Sequence, residues 1–79
     1  MNIYLLSQHD RKGYDTYDSC VVYAESEELA QLIMPDGYAT FGGWLNTWAS
    51  SPENVDVTYI GKAFEGAQAG VVLASFNAG

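Results

Sequence analysis

Apolar residues fall along this chain in four strand-like runs and one helix-like repeat. Ile3-Tyr4-Leu5-Leu6 is a short apolar run that turns polar at Ser7-Gln8, and Cys20-Val21-Val22-Tyr23-Ala24 is β-branched and aromatic; both patterns predict strands. Between them lies His9-Asp10-Arg11-Lys12-Gly13-Tyr14-Asp15-Thr16-Tyr17-Asp18-Ser19. Its glycine and spaced aspartates are turn chemistry, so the two strands are expected to form a hairpin with a long, mobile loop. From Ala24 to Gly37 the period changes. Ser26 is placed to cap a helix, Glu27 and Glu28 suit its positive first turn, and Leu29, Leu32 and Ile33 share a face expected to join the core; Pro35 and Asp36-Gly37 stop it.

The segment from Tyr38 to Asn54 carries Trp44 and Trp48 four residues apart, on one helical face, but Gly42-Gly43 and Ser50-Ser51-Pro52 leave room for barely two turns. Val55 to Ile60 alternates, with Val55, Val57 and Tyr59 on one side, and predicts a third strand. Gly61 to Gly70 is expected to be a loop or wide hairpin connection. Val71-Val72-Leu73-Ala74-Ser75-Phe76 is the most apolar run, which predicts a fourth strand in the interior of the sheet, with Phe76 in the core.

The order β-β-α-β-β predicts an α+β fold: a four-stranded, mainly antiparallel sheet, one short helix packed on one face, and a Trp-bearing loop or short helix. The helix has few apolar residues to bury, so Trp44 and Trp48 are expected to complete the cover. The opposite sheet face is then left partly apolar. Residues 1–79 are expected to make one small domain, since a second would have no core of its own.

Charge changes the picture most. Ten acids stand against three bases, a net charge of −7. From Gly13 onward nine carboxylates face only Lys62, giving −8, whereas residues 1–12 carry Arg11 and Lys12 against Asp10, giving +1. Such a chain is repelled by nucleic acid and membranes and drawn to basic surfaces. The start of the chain has neither the basic segment nor the apolar length of a signal peptide or a membrane span, and the lone Cys20 fits a reducing compartment. A cytoplasmic protein is expected.

No constellation of catalytic type stands out. Cys20 with His9 and a nearby aspartate has the residue types of a thiol nucleophile, base and orienter, but the cysteine lies within an apolar strand run and no cation follows to hold a thiolate. One His and one Cys are half a zinc site, the aspartates lack calcium-loop spacing, and the glycines lack phosphate-loop spacing. No catalytic residue, cofactor or metal is therefore expected.

The segments Tyr14-Asp15-Thr16-Tyr17-Asp18-Ser19, Tyr59-Ile60-Gly61-Lys62-Ala63 and Ala74-Ser75-Phe76-Asn77-Ala78-Gly79, with the runs around them, resemble a group of small uncharacterised tailed-bacteriophage proteins over nearly the whole chain. The resemblance implies a phage origin and a bacterial host cytoplasm, without an activity.

Aromatic anchors among acids suit a basic protein partner. Tyr14, Asp15, Tyr17 and Asp18, with Trp44 and Trp48, are the candidate partner-binding residues, the tryptophans weighted toward the core. The expected function is that of an acidic accessory protein that binds and inhibits or modulates a host nucleic-acid-handling or defence complex, of anti-CRISPR or anti-restriction type. It contacts no nucleic acid directly. The alternative is a self-associating, homodimeric phage protein with no host target.

Overall fold

The computed structural model describes residues 1–11, 15–35 and 47–77. The readings on Tyr14, on Asp36-Gly37 and on Trp44 lie outside them. Two strands, β1 (Asn2–Gln8) and β2 (Thr16–Ala24), pair antiparallel as expected. They are followed by a helix, α1 (Glu27–Gln31), a 3-10 turn over Pro52–Asn54, and strands β3 (Val55–Lys62) and β4 (Gly70–Asn77). A four-stranded antiparallel sheet with one short helix agrees with the α+β class.

The order across the sheet is β3-β1-β2-β4. The hairpin is central, and the two later strands add to its opposite sides. This corrects the expectation for β4, which is an edge strand despite the composition of an interior one. Of the two expectations for the connection from Gly61 to Gly70, the loop holds and the hairpin does not: residues 63–69 cross from one edge to the other. Its path begins where the Ala63 amide donates to the Met1 carbonyl at 3.1 Å and turns where the Ala67 amide donates to the Phe64 carbonyl at 3.1 Å. Gly66 holds the third position of that turn at φ +93°, a conformation that a type II turn needs and a side chain resists.

Residues of one sheet face line up in rows. Val57, Leu6, Cys20 and Ala74 form one row; Tyr59, Tyr4, Val22 and Val71 form the next. Tyr4, Leu6, Cys20 and Val22 are buried at their centre, roofed by Ala30, Trp48 and Ala49, with Ile33, Met34 and Tyr17 packed at the margin. Trp48 is 2 % exposed, so the core takes up its side chain and its indole is not at the surface. Among the described residues its Nε1–H finds no acceptor.

The helix is capped as its sequence predicts, with the Leu29 amide donating to Ser26 Oγ at 3.2 Å. Its buried face is only in part the predicted one: Ile33 packs against the core as expected, and Leu29 and Leu32 do not. Ala30 is fully buried and Ile33 and Met34 follow it three and four residues on, whereas Leu29 and Leu32 are exposed. Within the helix Ala30 is the buried residue, and its small side chain allows closer approach to the sheet than either leucine, while Gln31 Nε2 ties the helix to the Pro52 carbonyl at 2.6 Å. Phe76, expected in the core, is 45 % exposed on the edge strand, its ring 4.8 Å from that of Tyr17.

Candidate docking surfaces at the two sheet edges

The loop between β1 and β2 is tied at both ends. Gln8, predicted as the polar end of a strand, is buried. Its Nε2 donates to the carbonyls of Arg11 (2.6 Å) and Tyr17 (2.8 Å), and its Oε1 accepts from the Arg11 amide (2.7 Å). Asp10 Oδ2 accepts from the Ser50 amide at 2.7 Å, from Ser50 Oγ, and from Asn54 Nδ2 at 3.1 Å. The Ser50 hydroxyl and amide hold the Asp10 carboxyl below its ordinary value of 3.8, overcoming the opposing effect of desolvation, with Asn54 and Arg11 adding less. The polar stretch that sequence marks as a candidate site is in large part a structural staple.

Asp15 and Asp18 are exposed, and each has a backbone reason for its place. Asp15 sits at φ 60°, a left-handed position that aspartate tolerates better than most residues. Asp18 lies where β2 shifts register against β4, between Tyr17 and Ser19. Tyr17 is half-buried and packs against the core, so its ring does not share the exposure of Asp15 and Asp18.

Carboxylates gather instead around β3 and α1. Glu27, Glu28 and Asp56 line a cleft between the helix and β3, with Gln31, Val55 and Val57. A second cleft beside it is lined by His9, Asp10, Glu53, Asn54 and Asp56. Asp56 belongs to both, so five acids make one band along this edge. Among the described residues no three His, Cys, Asp or Glu side chains are placed to hold a metal ion. The band is a field rather than a chelate. Sequence shows each of these acids but not their convergence, because Asp10, Glu27, Glu28, Glu53 and Asp56 come from four separate segments.

The opposite edge has no charge at all. Gly70 to Asn77 contains neither acid nor base, and neither does its neighbour on β2 from Ser19 to Tyr23. Val71, Val72, Leu73 and Phe76 are 40 %, 48 %, 69 % and 45 % exposed. The sheet face away from the helix continues this surface through Ile3, Leu5, Val21 and Tyr23, all half-buried, and a shallow groove runs along Leu5, Ser19, Val21, Leu73 and Ser75. At one end Phe64 of the crossing connection meets Tyr23 edge to face, ring centres 5.9 Å apart.

Cys20 lies under this groove and is buried, which pushes its thiol up to about 11. At neutral pH it is protonated, and His9 lines a different hollow, beside the acidic band. No helix among the described residues is long and apolar enough to cross a membrane. Comparison with protein-family models, with curated proteins and with solved structures finds no match to this chain.

Proposed function

We propose that the chain is a small acidic phage-encoded accessory protein that captures a basic host protein in the bacterial cytoplasm and occludes it without chemistry of its own. The observation that carries this reading is the band of Asp10, Glu27, Glu28, Glu53 and Asp56 along the β3 edge. Exposed carboxylates gathered on one side attract a basic surface and speed its encounter, and added salt weakens the attraction because the screening length is only ~8 Å at physiological ionic strength. A nucleic-acid-handling enzyme or defence complex presents such a surface. Asp15 and Asp18, exposed at the far end of the hairpin, add to the same field.

The test is capture of partners from bacterial lysate by the wild-type protein and by the combined variant Glu27→Gln, Glu28→Gln, Glu53→Gln, Asp56→Asn, at low and raised salt. Asp10 is left intact because it staples the loop. A basic nucleic-acid-handling partner held by the wild type at low salt, and lost both in the variant and at raised salt, is the expected result. Equal capture by the two proteins would remove the acidic band from the account.

A further inference from the structure

We propose that β4 pairs antiparallel with β4 of a second copy of this chain across a two-fold axis, joining two four-stranded sheets into one of eight strands. The first reason is where the exposure lies. Val71 belongs to the core-side row with Val22, whereas Leu73 pairs with Val21 on the opposite face, and both are well exposed. A sheet packed face to face would cover only one of them. An absent neighbouring strand exposes both, because side chains of an adjacent strand flank those of β4 on either face.

The second reason is contrast with β3. That edge also exposes Tyr59 and Ile60, at 54 % and 55 %, but it is blunted in the usual ways: Asp56 and Lys62 are charged and exposed, and a bulge at Ile60 interrupts its register with β1. β4 also shifts register, at Val72, but carries no charge or proline over its eight residues. Its apolar composition is that of an interior strand, and in the paired sheet it becomes one.

The occupant follows from charge. Two copies at −7 repel wherever their acids meet. Pairing through β4 brings together the uncharged edges and sends the two acidic bands to opposite ends, about seven strand spacings or ~34 Å apart. That is several times the ~8 Å screening length. Antiparallel pairing also sets the Asn77 end of one copy against the Gly70 end of the other, which keeps the two Asp18 side chains apart. Four exposed apolar side chains and a main-chain ladder make a seam below the ~800 Å² per partner of a standard interface, so the dimer is expected to be reversible and concentration-dependent.

Sedimentation equilibrium over a wide concentration range tests this on the wild type, on Val72→Lys with Leu73→Lys, and on Leu29→Lys with Leu32→Lys. The second pair adds the same charge to apolar positions exposed on the helix. The expected result is a wild-type dimer whose dissociation constant rises at least ~30-fold in the β4 variant, the scale of an interface hot spot. The helix variant should dimerise normally. Amide exchange on the wild type gives an answer that does not depend on variants folding: protection of β4 should increase with protein concentration while β3 stays constant. A monomer at all concentrations, or a dimer lost in the helix variant and kept in the β4 variant, overturns the pairing. Neither result bears on capture by the acidic band, which a monomer performs equally well.

Discussion

The two edges of this sheet solve the same problem differently. Both expose a row of backbone groups, which in a soluble protein invites another strand. At β3 the helix lies close, Glu27, Glu28 and Asp56 share a cleft, and a bulge breaks the line. At β4 the same exposed row is uncharged and flanked by Val71, Val72, Leu73 and Phe76. One edge therefore carries charge and a cleft of carboxylates, and the other is an uncharged apolar strand, which under the pairing proposed above accepts a second copy. The lesson is that a net charge of −7 says little about any one surface until the fold distributes it.

The sharpest way to break this contrast is to compare side chains from the roofed and unroofed parts of the sheet. Trp48→Ala should cost ~3–5 kcal/mol, as expected for emptying a fully buried aromatic site. Leu73→Ala, exposed on β4, should change the stability of the monomer by less than ~0.5 kcal/mol. Urea unfolding at a concentration low enough to keep the chain monomeric checks both, and similar losses at the two sites would mean that β4 is buried in solution. Next in size is Gln8→Leu, which leaves the Arg11 amide and the Arg11 and Tyr17 carbonyls without their partner. It should cost ~1–3 kcal/mol and speed amide exchange at Arg11, with β4 less affected.

The smallest effect is that of acid on the staple beside β3. The Asp10 carboxyl titrates lower in the folded chain than its ordinary 3.8. Its contribution is therefore complete above that value and is lost as the pH falls through the lower folded one. A carboxyl NMR titration should show the Ser50 amide shifting with Asp10 in that acidic range only. A Ser50 shift between pH 5 and 7 would show that some other group holds the loop.

Much of the fold was legible because strands declare themselves locally. The centres of all four strands lie within the predicted runs, and Ser26 caps α1 as its position suggested. What failed depended on distant partners. Sequence favours Leu29 and Leu32 over Ala30 because size is visible in it and closeness of approach is not. The composition of Val71 to Phe76 points to the inside of the sheet because it carries no record of which strand lies beside it. Gln8 does end β1, but its burial follows from the Arg11 and Tyr17 carbonyls it binds, which the sequence does not show. The surface sites divide in the same way. Asp15 could be found from turn chemistry, but Asp18 lies at a bulge within β2 rather than in a turn, Tyr17 packs against the core, and the acidic band exists only once its segments meet.

The central position of the hairpin has a consequence for how the chain comes to its fold. Of the three strand pairs only β1 with β2 joins near neighbours in sequence; Gln8 waits for Val55, and Cys20 for Ala74. A two-stranded hairpin alone is marginal in water, so during synthesis β1 and β2 gain little stability until Ala30, Trp48 and then β3, which pack on them, have emerged. β4 closes the other side last. Folding of this kind is governed by loop closure, and belongs with the slower, long-range β topologies rather than with fast helical domains. Until the last strand arrives, β2 offers the open edge that β4 will later occupy.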